Sequence, residues 1–386
     1  MFQHNTSLSV KTKMKIAYYM PFKPMGHQNP SGDLITGTEI FDHLQTRGHD
    51  INPISSLRLR WAYYRPTLLF RLFRERNRLR ALYGNRQLPN LWLTYHSYYK
   101  APDLLGPSLC HKWRIPYVIF QGIYSTKRKR RLKTLPGFLL NRRSLLAADH
   151  IFTNKQRDLK NLRRLIPNTR LSYIAPGIHP GDFAYSNQSR QEKRTLWHSG
   201  KNIVIMTAAM MRPGVKTSGI LQVIRTCGEL HREGLALQLV VVGDGECRQE
   251  LEQSAQNEGP PNVLFTGKIP RKAMYKYYSS ADIFAFPGIE ESLGMVFLEA
   301  QSCGLPVVAY GDWGGGEAVL HNQTGLLNPA QQPEHFTTNI RELIENHELR
   351  RTFSRQATNH IRDHHDLLRN YEDLESQLLS LIHSPR

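Results

Sequence analysis

The segment Glu291-Ser-Leu-Gly-Met-Val-Phe-Leu-Glu299 follows an apolar run ending at Phe286-Pro287 and leads into Ala300-Gln-Ser-Cys-Gly-Leu-Pro-Val-Val-Ala309. The pattern predicts a strand, a loop, a helix and another strand. Ser292, Leu293 and Gly294 then fall where the helix begins. Free backbone amides at that point, assisted by the helix dipole, favour bound phosphate or sugar oxygens, and glycine at 294 permits close approach. Glu299, about one and a half turns further on, could accept two hydrogen bonds from a ribose diol. Two glutamates eight residues apart say little alone, since an exposed helix face gives the same spacing.

An α/β scaffold is needed to position these groups. Short β-rich runs recur at Lys15–Tyr19, Leu91–Tyr95, Tyr117–Phe120, His150–Thr153 and Leu171–Ile174, and again at Asn202–Thr207, Leu237–Val242, Asn262–Phe265, Asp282–Phe286 and Pro306–Ala309. Near-continuous Val, Ile and Leu is what parallel strands covered on both faces require. At 386 residues the chain is too long for one ordinary core, so two α/β domains are expected. The polar tract Ser186–Ser199 marks their boundary. Ligands of open α/β sheets sit beyond the carboxyl ends of the strands, which directs attention to the loops after them.

Charge divides the halves. Residues 1–190 carry 32 Lys and Arg against 9 Asp and Glu, a net +23, whereas residues 191–386 carry 19 against 23, a net −4. A polyanionic partner is implied for the first half: a membrane surface, an acidic or phosphorylated acceptor, or a nucleic acid. Nine arginines and one glutamate lie between Arg58 and Arg86, among them Arg71, Arg74, Arg76 and Arg78, interleaved with Trp61, Tyr63, Tyr64, Phe70 and Phe73. A basic surface with aromatic residues suits the membrane interface. The second cluster, Lys127-Arg128-Lys129-Arg130-Arg131-Leu-Lys133, lies shortly after Gln121. Nucleic acid is the rival partner, but no nucleic-acid module motif accompanies these patches. No apolar run of about 18 residues is present and the polar start lacks a secretory pattern, so a cytoplasmic protein, peripheral on the inner membrane face, is expected. Cys110, Cys227, Cys247 and Cys303 have no metal-ligand spacing, and neither a disulfide nor a zinc site is expected.

The Glu291–Glu299 block resembles the E-x7-E region of the retaining glycosyltransferases of family 4, which have the GT-B fold. Val240-Val-Val-Gly-Asp-Gly-Glu246, Val263-Leu-Phe-Thr-Gly267, Tyr278-Ser-Ser-Ala-Asp-Ile-Phe-Ala-Phe-Pro287 and Thr324-Gly-Leu-Leu327 are similar to that family in order and spacing. The resemblance implies that Glu291 contacts donor-sugar hydroxyls, that Glu299 binds the nucleotide ribose, and that the amides between them hold sugar and diphosphate. It also implies a diphosphate-binding role for Arg212 and Lys216, in Ala208-Ala-Met-Met-Arg-Pro-Gly-Val-Lys216. Two cations there make chemical sense, because negative charge grows on the diphosphate as the glycosidic bond breaks. No cofactor or metal is then required, and the nucleotide-sugar is a substrate. Asp244-Gly245-Glu246 looks superficially like a metal-binding DxD and is better read as the turn after a strand. The family's usual glycine after the lysine is Thr217 here.

The first half matches more loosely. Asn29-Pro-Ser-Gly-Asp33 is similar to the family's small-residue loop facing the donor, with Gly32 as the contact. Many members carry a histidine after the strand written here Ile115-Pro-Tyr-Val-Ile-Phe120, but this chain has Gln121-Gly122, which positions a sugar hydroxyl without titrating. His96, after Leu91-Trp-Leu-Thr-Tyr95, is the remaining imidazole at a strand end and joins Glu291, Arg212 and Lys216 as a candidate catalytic group.

The sequence is accordingly read as α/β, a GT-B fold of two Rossmann-like domains facing each other across a cleft. Residues 13–188 form the acceptor side and 189–362 the donor side, and a helical segment at 363–386 crosses back to the first domain. The expected reaction is metal-independent, retaining transfer of a sugar from a nucleotide-sugar to a glycan, glycolipid or phosphate-bearing acceptor at an anionic membrane. A nucleotide-sugar epimerase, a non-catalytic sugar-binding protein and a nucleic-acid-binding protein are the alternatives. Nothing in the sequence speaks to oligomeric state.

Overall fold

A computed structural model describes residues 13–27, 32–84 and 86–383. Asn29, Pro30 and Ser31 of the small-residue loop lie outside the described residues. The chain falls into two compact units, the first comprising residues 1–174 and 371–386 and the second residues 175–370.

In the first unit β1 (Lys15–Tyr19), β2 (Asp50–Ser55), β3 (Leu91–Ser97), β4 (Tyr117–Gly122), β5 (His150–Thr153) and β6 (Leu171–Tyr173) form a parallel sheet in the order 2-1-3-4-5-6. Helices cover its faces, and Trp92, Leu109, Ile119 and Leu145 are fully buried in its core. β2 is not apparent from hydropathy, because Asp50-Ile-Asn-Pro-Ile-Ser55 is polar and contains a proline. Pro53 is tolerated because β2 is an edge strand bonded only to β1.

The second unit repeats the plan with β7 (Ile203–Ala208), β8 (Leu237–Val242), β9 (Val263–Phe265), β10 (Ile283–Ala285), β11 (Val307–Tyr310) and β12 (Gly325–Asn328), ordered 12-11-10-7-8-9. β10 pairs in parallel with β7 through Ile283 opposite Ile205 and Phe284 opposite Met206. The strand order reverses at that pairing, so the chain leaving β7 moves one way across the sheet and the chain leaving β10 moves the other. A crevice opens where they part.

The polar tract at 186–199 is not a linker. Ser186 caps the helix Asn187–Leu196 by accepting from Ser189 N–H, and Arg190 and Arg194 of that helix both reach Asp282. The chain joins the second unit earlier than the polar composition suggests: Ile178 N–H donates to His365 O at 2.9 Å, and Ser186 N–H donates to Ser279 Oγ at 3.0 Å. At the other end the helix Leu367–His383 passes into the first unit from Tyr371 onward. There the buried Glu375 carboxylate accepts from Arg47 Nε at 2.9 Å and lies 3.1 Å from His49 Nε2.

Asp282 is the hub of the second unit's start, for it also accepts from Val204 N–H at 2.8 Å. Burial alone would raise its pKa, but Arg190, the Val204 amide and Arg194 outweigh burial and hold the carboxyl below the usual range. A depressed carboxyl stabilises the fold above its unfolded pKa of about 3.9, and that contribution disappears as pH falls through the folded value. Asp282→Ala strands two arginines and should lower the unfolding free energy of the second unit by about 3 kcal/mol at neutral pH. Denaturant titration at pH 7 and at acid pH checks this, the gap between parent and variant closing as the pH drops.

Candidate donor site of the second unit

The loop after β7 begins with Ala209–Met211, and its path is set by the turn after β8. Gly243 and Gly245 have φ of 137° and 153°, and a Cβ at either would come within 2.0 Å of Ala209 O and 2.4 Å of Met211 O. Met211 N–H donates to Asp244 O at 3.0 Å. The Val-Val-Gly-Asp-Gly-Glu sequence thus carries the backbone that presents Arg212. Asp244 itself accepts from Gly245 N–H at 2.8 Å and pairs with Arg248 at 3.5 Å. Arg212 is exposed, and its carbonyl accepts from the Thr217 hydroxyl at 2.6 Å. Thr217, where the family has glycine, therefore ties the loop to the helix Val215–Arg232 that follows.

The loop after β10 meets it. Lys216 Nζ donates to Glu291 Oε2 at 3.1 Å, both side chains being half-buried. Ser292 is exposed, Leu293 half-buried and Gly294 buried. Gly294 has φ of 66° and immediately precedes the helix Met295–Ser302. Its conformation follows from a contact absent from the sequence reading, since a Cβ there would lie 2.5 Å from Gly314 O. Gly314 N–H in turn donates to Glu291 O at 3.0 Å. The Gly314-Gly315-Gly316 run was the available signal, as three successive glycines leave room for another backbone.

Glu299 is 7% exposed. Its Oε1 accepts from Arg271 Nε at 3.1 Å and its Oε2 from the Tyr278 hydroxyl at 3.1 Å. Burial raises its pKa, with Arg271 and Tyr278 opposing. Each oxygen keeps a further lone pair for a ribose hydroxyl. Arg271 also stacks over Phe183, 5.5 Å from the ring centroid; the sequence offers no signal for it.

In the first unit Gly32 opens the helix Gly32–Thr46, with nothing within 4 Å of where a Cβ would stand. His96 and Gln121 sit side by side at the carboxyl ends of β3 and β4, given Tyr95 opposite Phe120 and Ser97 opposite Gly122. Both are buried, and both hold left-handed backbone with φ of 64° and 63°. That conformation is rare outside glycine and concentrates at functional sites. His96 packs 5.4 Å from the Phe22 ring and 4.8 Å from Tyr98. Gln121 Nε2–H donates to Asp158 at 3.4 Å. Burial raises the Asp158 carboxyl, with Lys155, Arg157 and His96 opposing. Asp158 was not apparent from the sequence, although a charged residue shortly after a strand end is a usable signal.

Two arginines of the basic cluster also have structural partners. Arg58 Nε donates to Phe22 O at 3.0 Å, and Arg78 Nη2 donates to Ile54 O at 2.8 Å while pairing with Glu75. Both guanidiniums hold backbone in place. Arg71 and Arg74 are exposed on the helix Pro66–Leu82, and Arg76 is half-buried. Lys127 and Arg130 are exposed, whereas Arg128 stacks 4.6 Å from the Tyr99 ring centroid. All four cysteines are free thiols. Among the described residues no helix is long and apolar enough to cross a membrane.

Residues 187–360 match the family Glycosyl transferases group 1, so the second unit carries a domain of that family. The GDP-mannose-dependent alpha-(1-6)-phosphatidylinositol monomannoside mannosyltransferase of Mycolicibacterium smegmatis is 31% identical over 186 residues, 46% of this chain and 48% of that protein. The chain thus spans about half the length of that relative. A D-inositol 3-phosphate glycosyltransferase of Paenarthrobacter aurescens is 24% identical over 320 residues, 76% of this chain and 74% of that one. Among solved structures, Anabaena HepE in complex with UDP aligns with a TM-score of 0.71 over 95% of this chain and 100% of that one, at 17% identity. The chain shares the α/β, GT-B fold of these glycosyltransferases.

The glycine contact is directly testable. Gly294→Ala forces a methyl against Gly314 O in a left-handed backbone and should cost about 1–3 kcal/mol. At Gly311 a Cβ would meet only Leu327 at 3.7 Å, so Gly311→Ala should be near neutral. Paired denaturant titrations of the two variants check the contrast.

Proposed function

We propose that this chain, whose residues 187–360 form a glycosyl transferases group 1 domain, moves a sugar from a nucleotide-sugar donor to a phosphate-bearing or glycolipid acceptor with retention of configuration and without a metal. The observation that carries the reading is the Lys216–Glu291 pair at the β7/β10 reversal, with Arg212 on the same loop and Glu299 on the helix that follows.

In this reading Glu299 accepts from the ribose, Glu291 orients the sugar hydroxyls, and Arg212 and Lys216 flank the diphosphate. An ammonium has three donors, so Lys216 can keep Glu291 and still engage a phosphate oxygen. As the bond from the anomeric carbon to the phosphate oxygen breaks, both cations stabilise the charge left on the diphosphate. The acceptor oxygen bonds to the anomeric carbon on the same face, and its proton passes to the departing phosphate oxygen. His96 and Gln121, held in strained backbone, are the first unit's groups for orienting sugar hydroxyls.

The basic first unit gives the acceptor side its character. Two relatives are named for phosphatidylinositol monomannoside and D-inositol 3-phosphate, and both compounds carry phosphate. Phe70 and Phe73, 63% and 58% exposed, lie on the same helix as Arg71 and Arg74, a pairing that favours docking on an anionic membrane face of the cytoplasm.

Arg212→Ala or Lys216→Ala should each lower turnover by roughly 10²–10³, the usual cost of one preorganised electrostatic group. EDTA should leave the parent rate unchanged. Donor turnover screened over GDP- and UDP-sugars, with the product anomer read by NMR, tests all three parts: an inverted product, loss of activity in EDTA, or full activity in Lys216→Ala would each contradict the mechanism.

A further inference from the structure

The first unit contains a cavity of about 750 Å³ away from His96 and Gln121. Three helices wall it: Pro66–Leu82 through Leu69, Leu72 and Arg76, Gly106–Trp113 through Cys110 and His111, and Leu135–Ala147 through Leu140, Arg143 and Ala147. Tyr117 and Asp149, at the amino ends of β4 and β5, also line it. His96 and Gln121 stand at the carboxyl ends, so the cavity lies at the opposite end of the sheet.

Its floor is buried and chemically satisfied. Asp103 accepts from the Thr94 hydroxyl at 2.6 Å, the Tyr117 hydroxyl at 3.0 Å, Leu105 N–H at 2.8 Å and Gly106 N–H at 2.9 Å. Burial raises its pKa against these donors. Leu69, Leu72, Leu104, Pro107, Leu140 and Ala147 give the cavity an apolar wall. Beyond Asp103, its charged lining is Arg76 and Arg143 together with the exposed Asp149, whose carboxylate accepts from Tyr117 N–H at 2.7 Å. Arg143 is exposed, and the Nε of Arg76 is buried without a hydrogen-bond partner among the described residues. A buried donor with no acceptor is costly, and an anion would satisfy it.

Beside the rim the same two helices expose apolar side chains to water. Leu69, Phe70 and Phe73 are 43%, 63% and 58% exposed on one, and Leu139 and Leu146 are 52% and 39% exposed on the other. A cavity with an apolar wall, two arginines against one exposed carboxylate in its lining and an apolar apron fits a molecule with an apolar tail and an anionic head. The volume lies within the range of about 300–1,000 Å³ usual for small-molecule sites.

We propose that this cavity takes one acyl chain of an anionic phospholipid, with the phosphate held by Arg76 and Arg143. The inference rests on the membrane reading above for its source of lipid. It adds a lipid-binding site separate from the donor site and from His96.

The probe is a single-chain phosphatidylglycerol held below its micelle concentration and titrated into the full chain by calorimetry. Saturable one-to-one binding is expected, tightening about 15-fold when the acyl chain grows by two methylenes, since each buried methylene contributes roughly fourfold. The choline analogue and the double variant Arg76→Gln, Arg143→Gln should bind at least tenfold more weakly. Leu140→Trp fills the cavity and should abolish uptake; Ala147→Phe, at the exposed rim, provides a second block should the first variant misfold. Pelleting with anionic vesicles, carried by Phe70, Phe73, Arg71 and Arg74, should survive both blocks. Absence of saturable uptake, no dependence on chain length, or parental affinity in folded Leu140→Trp or Ala147→Phe would overturn the site while leaving vesicle docking standing. Uptake by a parent that does not pellet with vesicles would support the cavity and count against docking.

Discussion

The pairing of β10 on β7 places side by side two strands whose onward chains must part, and the second unit is arranged around the gap this creates. Neither loop could hold its shape alone. The one after β7 rests on the glycine turn after β8, and the one after β10 rests on Gly314. Only where backbone meets backbone without a Cβ between them do Lys216 and Glu291 come within 3.1 Å. A parallel sheet with this reversal needs long crossover helices on both sides, which explains why a site of a few residues requires nearly two hundred to build it.

Much of this was legible because parallel strands buried on both faces are written as unbroken aliphatic runs. Leu237–Val242 can be read directly, and it coincides with β8. Edge strands are read that way less dependably: β6 and β9 are edges and still legible, whereas two other edges are not. β2 and β12 have one bonded neighbour each, need no continuous apolar run, and carry Pro53 and Gly325, residues that ordinarily argue against a strand. The polar tract at 186–199 misled for a related reason. A surface helix held by Arg190 and Arg194 on Asp282 is polar throughout, and composition does not separate that from a linker.

For the site, motif spacing names Lys216 and Glu291, which the structure brings within 3.1 Å, while partners defined by long-range contact were invisible. Arg271 and Tyr278 reach Glu299 from 28 and 21 residues away. Asp158 reaches Gln121 from a different strand end. The basic cluster shows the complementary error, because a count of arginines cannot tell Arg71, which faces water, from Arg58, which bonds a backbone carbonyl. Charge composition located the surface; only packing sorted its members.

In the proposed mechanism, nucleotide binding depends most on Glu299 accepting from the ribose in its ionised form. Its carboxyl is raised by burial, so protonation should begin above the ordinary glutamate range of about 4.3. Calorimetric titration of the cognate nucleoside diphosphate into the parent and Glu299→Gln across acid to neutral pH is the direct measurement. Affinity in the parent should fall as pH drops through that raised pKa, whereas the variant should bind weakly at every pH. Equal affinity of the two proteins at neutral pH would contradict the assignment.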